Sequence, residues 1–163
     1  MKTIQLITGI LLVLVAGLFW GTWFALSRTI YHFPAESFIL IGKEIIANVA
    51  ATMRIIMPAS ILGLLILLLA GRRYKPVYFF CILLSFTSFL TALIITVAIE
   101  VPIDNQIKTW TTSTIPGNWE SIRSRWQMFH TTRTFVALGG IAFFLIAIMN
   151  SGKRMPEHNL IQA

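Results

Sequence analysis

Long apolar runs alternate with short polar bursts along this chain, and the runs have the length of membrane crossings. A hydrocarbon core about 30 Å thick takes roughly 20 apolar residues per helix. Four stretches reach or approach that figure: Ile4 to Leu26, Ile55 to Ala70, Val77 to Ile99 and Thr134 to Met149. Two polar segments carry helical spacing of their own. From Glu36 to Arg54, Glu44, Asn48 and Thr52 recur every fourth residue and so share one stripe. From Asn118 to Arg133, with Pro116 blocking helix upstream, Trp119, Arg123, Trp126, His130 and Arg133 follow at spacings of four, three, four and three. The pattern predicts an all-α membrane protein: a four-transmembrane-helix bundle with helical extensions over about 36–54 and 118–133 on one outer face.

Composition agrees with that pattern. Of 163 residues, 56% are hydrophobic and 12% charged, about half the charge of an ordinary soluble domain. The length allows one domain, 1–163. The first apolar run is too long for a typical signal peptide and lacks a small-x-small cleavage site, so it reads as a retained helix. Cys81 is the single cysteine, which removes internal disulfides and paired-thiol redox chemistry. The net charge of +7 is bunched at the ends of apolar runs. It therefore points to lipid head groups, and no nucleic-acid partner is expected.

With four crossings, both termini and the loop at 71–76 share one side. That side carries Lys2, Arg72, Arg73, Lys75, Lys153 and Arg154 against Glu157. The short, cation-dense Gly71-Arg72-Arg73-Tyr74-Lys75-Pro76 is the strong form of the positive-inside signal and places both termini in the cytoplasm of a multi-pass cell-membrane protein. Arg28 lies where the first helix runs into the opposite, outer layer.

The outer layer holds the candidate chemistry. Arg54 and Arg133 each precede only 16 apolar residues, and Glu100 ends the third run with Asp104 one turn beyond. Charges at that depth cost about 2.5–3.5 kcal/mol each on insertion scales, so pairing of Arg54 or Arg133 with Glu100 or Asp104 is expected. Snorkelling to head groups is the plain alternative for either arginine alone. The Trp119–Arg123–Trp126–His130–Arg133 face mixes indoles, guanidiniums and an imidazole, which suits a polar pocket better than a lipid stripe. No specific metal motif is present, since His32, His130 and His158 are scattered. Gly9, Gly17 and Gly21 on one helix face, and Gly139-Gly140, predict close helix packing; they could equally serve a homo-oligomer.

These residues also carry a resemblance. Val101-Pro102-Ile103-Asp104-Asn105, then Trp119, then Arg125-Trp126-x-x-x-His130-x-x-Arg133 resembles the anthrone oxygenase-like membrane proteins. That family's hallmark is a V-P-x-N-N-like turn followed by W-x-x-x-N/H-x-x-R. Ala16-Gly17-Leu18-Phe19-Trp20-Gly21 looks like its first helix. Asp104 and His130 stand where many relatives have Asn. The resemblance implies a small four-helix protein of the bacterial inner membrane, oxidation of anthrones without an evident cofactor, and Asn105 among the binding residues. On that reading His130 is the base, since an imidazole titrates near neutrality. Asp104 or Glu100 orients it, Arg133 and Arg54 hold the oxyanion, and Trp119 and Trp126 stack on a flat aromatic ligand, with Arg123 and Asn48 beside them. Two other readings remain open: a binder of lipid-like or aromatic molecules, and a non-catalytic protein whose charge cluster staples the bundle.

Overall fold

The computed structural model describes residues 1–27, 29–71 and 74–151. Arg28, Arg72, Arg73, Lys153, Arg154, Glu157 and His158 therefore lie outside the described residues, and with them most of the charge asymmetry used to orient the chain. Helix α1 spans Lys2–Leu26, α2 Ala35–Gly71, α3 Pro76–Ile95, α4 Val101–Thr109 and α5 Trp119–Met149. No strand occurs among the described residues. Four rods are long and apolar enough to cross a membrane: α1, α2, the continuous segment Pro76–Thr109, and α5.

Each rod buries one stripe and turns the rest outward. In α1 the buried positions are Gln5, Thr8, Leu12, Val15, Ala16 and Phe19, one helical face. Leu6, Ile7, Ile10, Val13 and Phe24 point out and are at least half exposed. A helix apolar on every side is built for a bilayer, not for water. The four rods close a ring in which α1 meets α2 and α5, and α3 meets the same two.

Helix α2 joins the predicted extension and the second crossing into 37 residues with Pro58 inside. That is about 55 Å of helix against a core of about 30 Å, so its first turns stand clear of the hydrocarbon. The third crossing also outruns expectation. The Val101–Asn105 run is helix, not a turn. A five-residue π-helical segment, Thr96–Glu100, links α3 to α4, and Pro102 falls in the first turn of α4, where a missing N–H is tolerated.

Two apolar clusters form. One fills the inner and middle bundle around Leu12, Leu64, Tyr78, Ile82, Phe89 and Phe144. The other lies outward around Phe38, Ile46, Ile107, Trp110 and Trp126. Glycines tighten the first: a Cβ on Gly9 would meet the Phe144 ring at 3.0 Å, one on Gly140 the Phe89 ring at 2.9 Å, and one on Gly63 would collide with the Thr8 hydroxyl. Gly17 and Gly21 behave otherwise. A Cβ on either meets nothing within 4 Å, and the same holds for Gly139. The Gly-x-x-x-Gly of α1 therefore faces out of the bundle, and the close approach falls on glycines with no such spacing.

Candidate functional site

A polar tier sits where the two apolar clusters meet, and its centre is Arg133. The guanidinium approaches Glu100 Oε2 to 3.0 Å through Nη2, and its Nη1 donates to Thr96 Oγ1 at 3.0 Å. The Glu100 side chain is wholly buried and that of Arg133 is 11% exposed. The ion pair is close but poorly directed, since neither carboxylate oxygen gains a well-aligned hydrogen bond. Asp104 stays apart from Arg133 and instead accepts a hydrogen bond from Trp126 Nε1 at 3.0 Å on Oδ1.

Arg133 also fixes the imidazole. Its Nε and Nη2 lie 3.2 and 3.0 Å from His130 Nδ1. A guanidinium only donates, so Nδ1 must be the acceptor, and the ring proton belongs on Nε2. Nε2 in turn lies 3.0 Å from Thr22 Oγ1, which donates onward to the Leu18 carbonyl at 2.9 Å. The chain Arg133 → His130 → Thr22 → Leu18 thus runs in one donor direction. Phe19 lies under the guanidinium at 4.6 Å, and Trp126 stacks on the imidazole with centroids 5.9 Å apart and planes 12° from parallel. The acid expected to orient His130 does not touch it; a cation does. Both imidazole nitrogens are committed.

Beside this tier lies a cavity of about 390 Å³ walled by all four rods. Thr22, Trp126, His130 and Arg133 face it from α1 and α5, and Asp104 faces it from α4. Among the described residues Asp104 Oδ2 accepts no hydrogen bond, so one carboxylate oxygen is left to the cavity. Three cations line the space, Arg54, Lys108 and Arg133, against the single carboxylate of Asp104. Such a mostly apolar hollow with a few convergent polar groups has the form of a small-molecule site, and its size lies in the usual range of about 300–1,000 Å³. A larger groove of about 620 Å³ between the inner halves of α1 and α5 has only Lys2, Gln5 and Ser151 as polar lining and lacks that convergence.

The structure separates the remaining predicted residues. Arg54 lines the cavity but forms no ion pair among the described residues; of the two arginines offered for the pairing, Arg133 makes it, with Glu100. Asn105 lines the rim, 3.4 Å from Lys108 Nζ. Arg123 and Trp119 sit farther out. Arg123 Nη1 donates to the carbonyls of Ile30 and Phe33 at 3.3 Å and its guanidinium covers the Trp119 ring at 4.6 Å, pinning the α1–α2 connection to α5. Asn48 is exposed on α2 and away from the cavity. Thr22, Thr96 and Lys108 join the tier or the cavity without having been expected. Lys108 was the findable one, because it lies four residues beyond Asp104 on the same helical stripe. Among the described residues no group of three or more His, Cys, Asp or Glu side chains is placed to hold a metal ion.

The family model for anthrone oxygenase matches residues 47–143, 97 of the 163 residues, a span that contains Arg54, the π-helical segment, Asp104, His130 and Arg133. No curated protein and no solved structure matches the chain. With a match over more than half its length, the chain belongs to the anthrone oxygenase family.

Proposed function

We propose that the cavity binds a flat, phenol-bearing aromatic ketone of the anthrone type and promotes its oxidation by O₂ to the quinone, in a cell membrane with both termini cytoplasmic. Asp104 carries the reading: it is the one carboxylate on the cavity wall, held by the Trp126 indole through one oxygen and open through the other. The anthrone ring CH₂ is acidic because its anion is aromatic. Asp104 takes that proton, and the ring oxygen gains the negative charge, which the cationic lining stabilises. The anion reduces O₂ by one electron, the resulting radical pair joins carbon to oxygen, the peroxide anion takes back the proton from Asp104, and the hydroperoxide loses water to leave C=O. Anthrone plus O₂ gives anthraquinone plus water, with four electrons moved from carbon to oxygen.

His130 serves here as a donor that shapes the cavity, and not as the base, because its lone pair is occupied by Arg133. The measurement is oxygen uptake by the reconstituted protein with anthrone as substrate. Asp104→Asn, which keeps an acceptor for Trp126, should lower the rate by about 10²-fold or more. Uptake unchanged in that variant would overturn the assignment of the base. A rate no faster than in empty bilayers would overturn the oxygenase reading itself.

The charge cluster also supports the plainer reading of a structural staple, through the buried Glu100–Arg133 pair. That reading accounts for the pair and leaves the hollow beside it without a purpose.

A further inference from the structure

The exposed part of the cavity wall is confined to two of the four rods. From α1 and α5 the lining residues are buried or half-buried. The outward-facing ones are Arg54 and Pro58 on α2, Val97 on the π-helical segment, and Val101, Asn105 and Lys108 on α4. The cavity is therefore open sideways, between α2 and the Thr96–Thr109 rod, and closed toward α1 and α5.

The two ends of this opening differ in chemistry. Its deeper edge is Pro58 and Val97, both inside the long apolar runs, flanked by Ile55 at 73% and Ile94 at 57% exposure. Those side chains face outward at a depth where the solvent is hydrocarbon. The shallower edge carries Arg54 and Lys108. Neither forms an ion pair among the described residues, and the single hydrogen bond between them is the long 3.4 Å contact of Lys108 Nζ with Asn105. Two uncommitted cations above an apolar slot match one shape of guest: a hydrophobic body with an anionic group at its head-group end.

We infer that the site loads its ligand from the bilayer through this lateral opening, and that the ligand is an amphiphilic aromatic anion, its ring system in the apolar slot and its carboxylate or phenolate on Arg54 and Lys108. The inference rests on the cavity being the binding site proposed above and adds the route and the charge of the guest. It assigns Val97 and Lys108 roles that the family resemblance did not indicate.

The test uses the full chain in lipid nanodiscs and two probes of equal ring size, anthraquinone and anthraquinone-2-carboxylate, followed by quenching of tryptophan fluorescence. The carboxylate probe should bind about tenfold more tightly, the weight of one charge-assisted contact. R54Q/K108Q should abolish that preference, so that the two probes bind with equal affinity. V97W, at a position 59% exposed, should slow association and release together by about tenfold at nearly constant Kd, the signature of a narrowed entrance. The inference falls if wild-type protein does not prefer the anion, if R54Q/K108Q keeps the preference, or if V97W leaves both rates unaltered. In each of those cases ring binding survives and so does the proposed site. If neither probe binds wild-type protein, the binding site and the inference fall together.

Discussion

The inner and outer halves of this bundle solve the problem of packing helices in a membrane in opposite ways. Inward, the rods touch through glycine and aromatic rings: Gly9 on Phe144, Gly140 on Phe89, Gly63 on Thr8. Among the described residues nothing charged is buried there, and Gln5 Nε2 donates to the Tyr78 hydroxyl across rods at 3.3 Å. Outward, the rods surround a hollow and are joined by Arg133, which reaches α3's continuation through Glu100 and Thr96 and reaches α1 through His130 and Thr22. Shape holds one half and charge the other. In lipid, apolar area by itself drives little association between helices, so each half needs a specific device of its own. The charged device borders a hollow with convergent polar groups; the close-packed one leaves only an apolar groove between α1 and α5.

Several substitutions would break or sharpen that contrast. The largest effect belongs to Arg133→Ala, which leaves Glu100 buried without its partner and should cost about 3–5 kcal/mol of unfolding free energy in mixed micelles. Replacing both partners, as Glu100→Leu with Arg133→Met, should recover most of that loss while oxygen uptake stays abolished. Full activity in the double variant would show that the tier only holds helices together. Gly140→Ala comes next. Its new methyl would meet Phe89 and Ser88 at about 3 Å, and overpacking of that kind costs about 1–3 kcal/mol; a variant as stable as wild type would mean that the inner half is looser than described. Thr22→Val removes the acceptor from His130 Nε2 and should cost about 1 kcal/mol, with a larger effect on ligand binding than on unfolding. Smallest is Gly17→Ala, expected within about 0.5 kcal/mol of wild type. A marked destabilisation there would locate helix packing on the face that this bundle leaves open.

Much of this was legible in the residues because it follows from length and charge. Four apolar runs need four crossings, and a charge at the end of a short run has few places to go, so the level shared by Glu100, Asp104, His130 and Arg133 could be read directly. The partners within that level could not. Arg54 and Arg133 look alike in sequence, yet only Arg133 lies on a rod whose buried face meets Glu100. His130 was expected to lean on a carboxylate, but Arg133, three residues away on its own helix, takes Nδ1 and Thr22 of α1 takes Nε2. Thr22 and Thr96 were overlooked for a physical reason: a threonine in an apolar run can satisfy its hydroxyl on its own backbone, as both do, and nothing local reveals a second bond. Of the glycines expected to pack closely, Gly9 and Gly140 do and Gly17, Gly21 and Gly139 do not, because Gly-x-x-x-Gly describes what a helix face permits, whereas the partner's position decides which face is used. The Val101–Asn105 run was read as a turn only from the family resemblance; Pro102 permits helix there, because in a first helical turn its missing donor is not needed.

The five π-helical residues Thr96–Glu100 carry a consequence of their own. A π segment holds one residue more than the α-helix it interrupts, and each residue is worth about 100° of rotation. Removing Ala98 would take that extra residue out of the rod, and everything beyond would swing by roughly that angle. Asp104 would leave Trp126, and the rod would still cross the bilayer with its apolar length almost intact. A single inserted amino acid thus acts as the indexing pin of this molecule, aligning the acid with the hollow without altering the span beneath it.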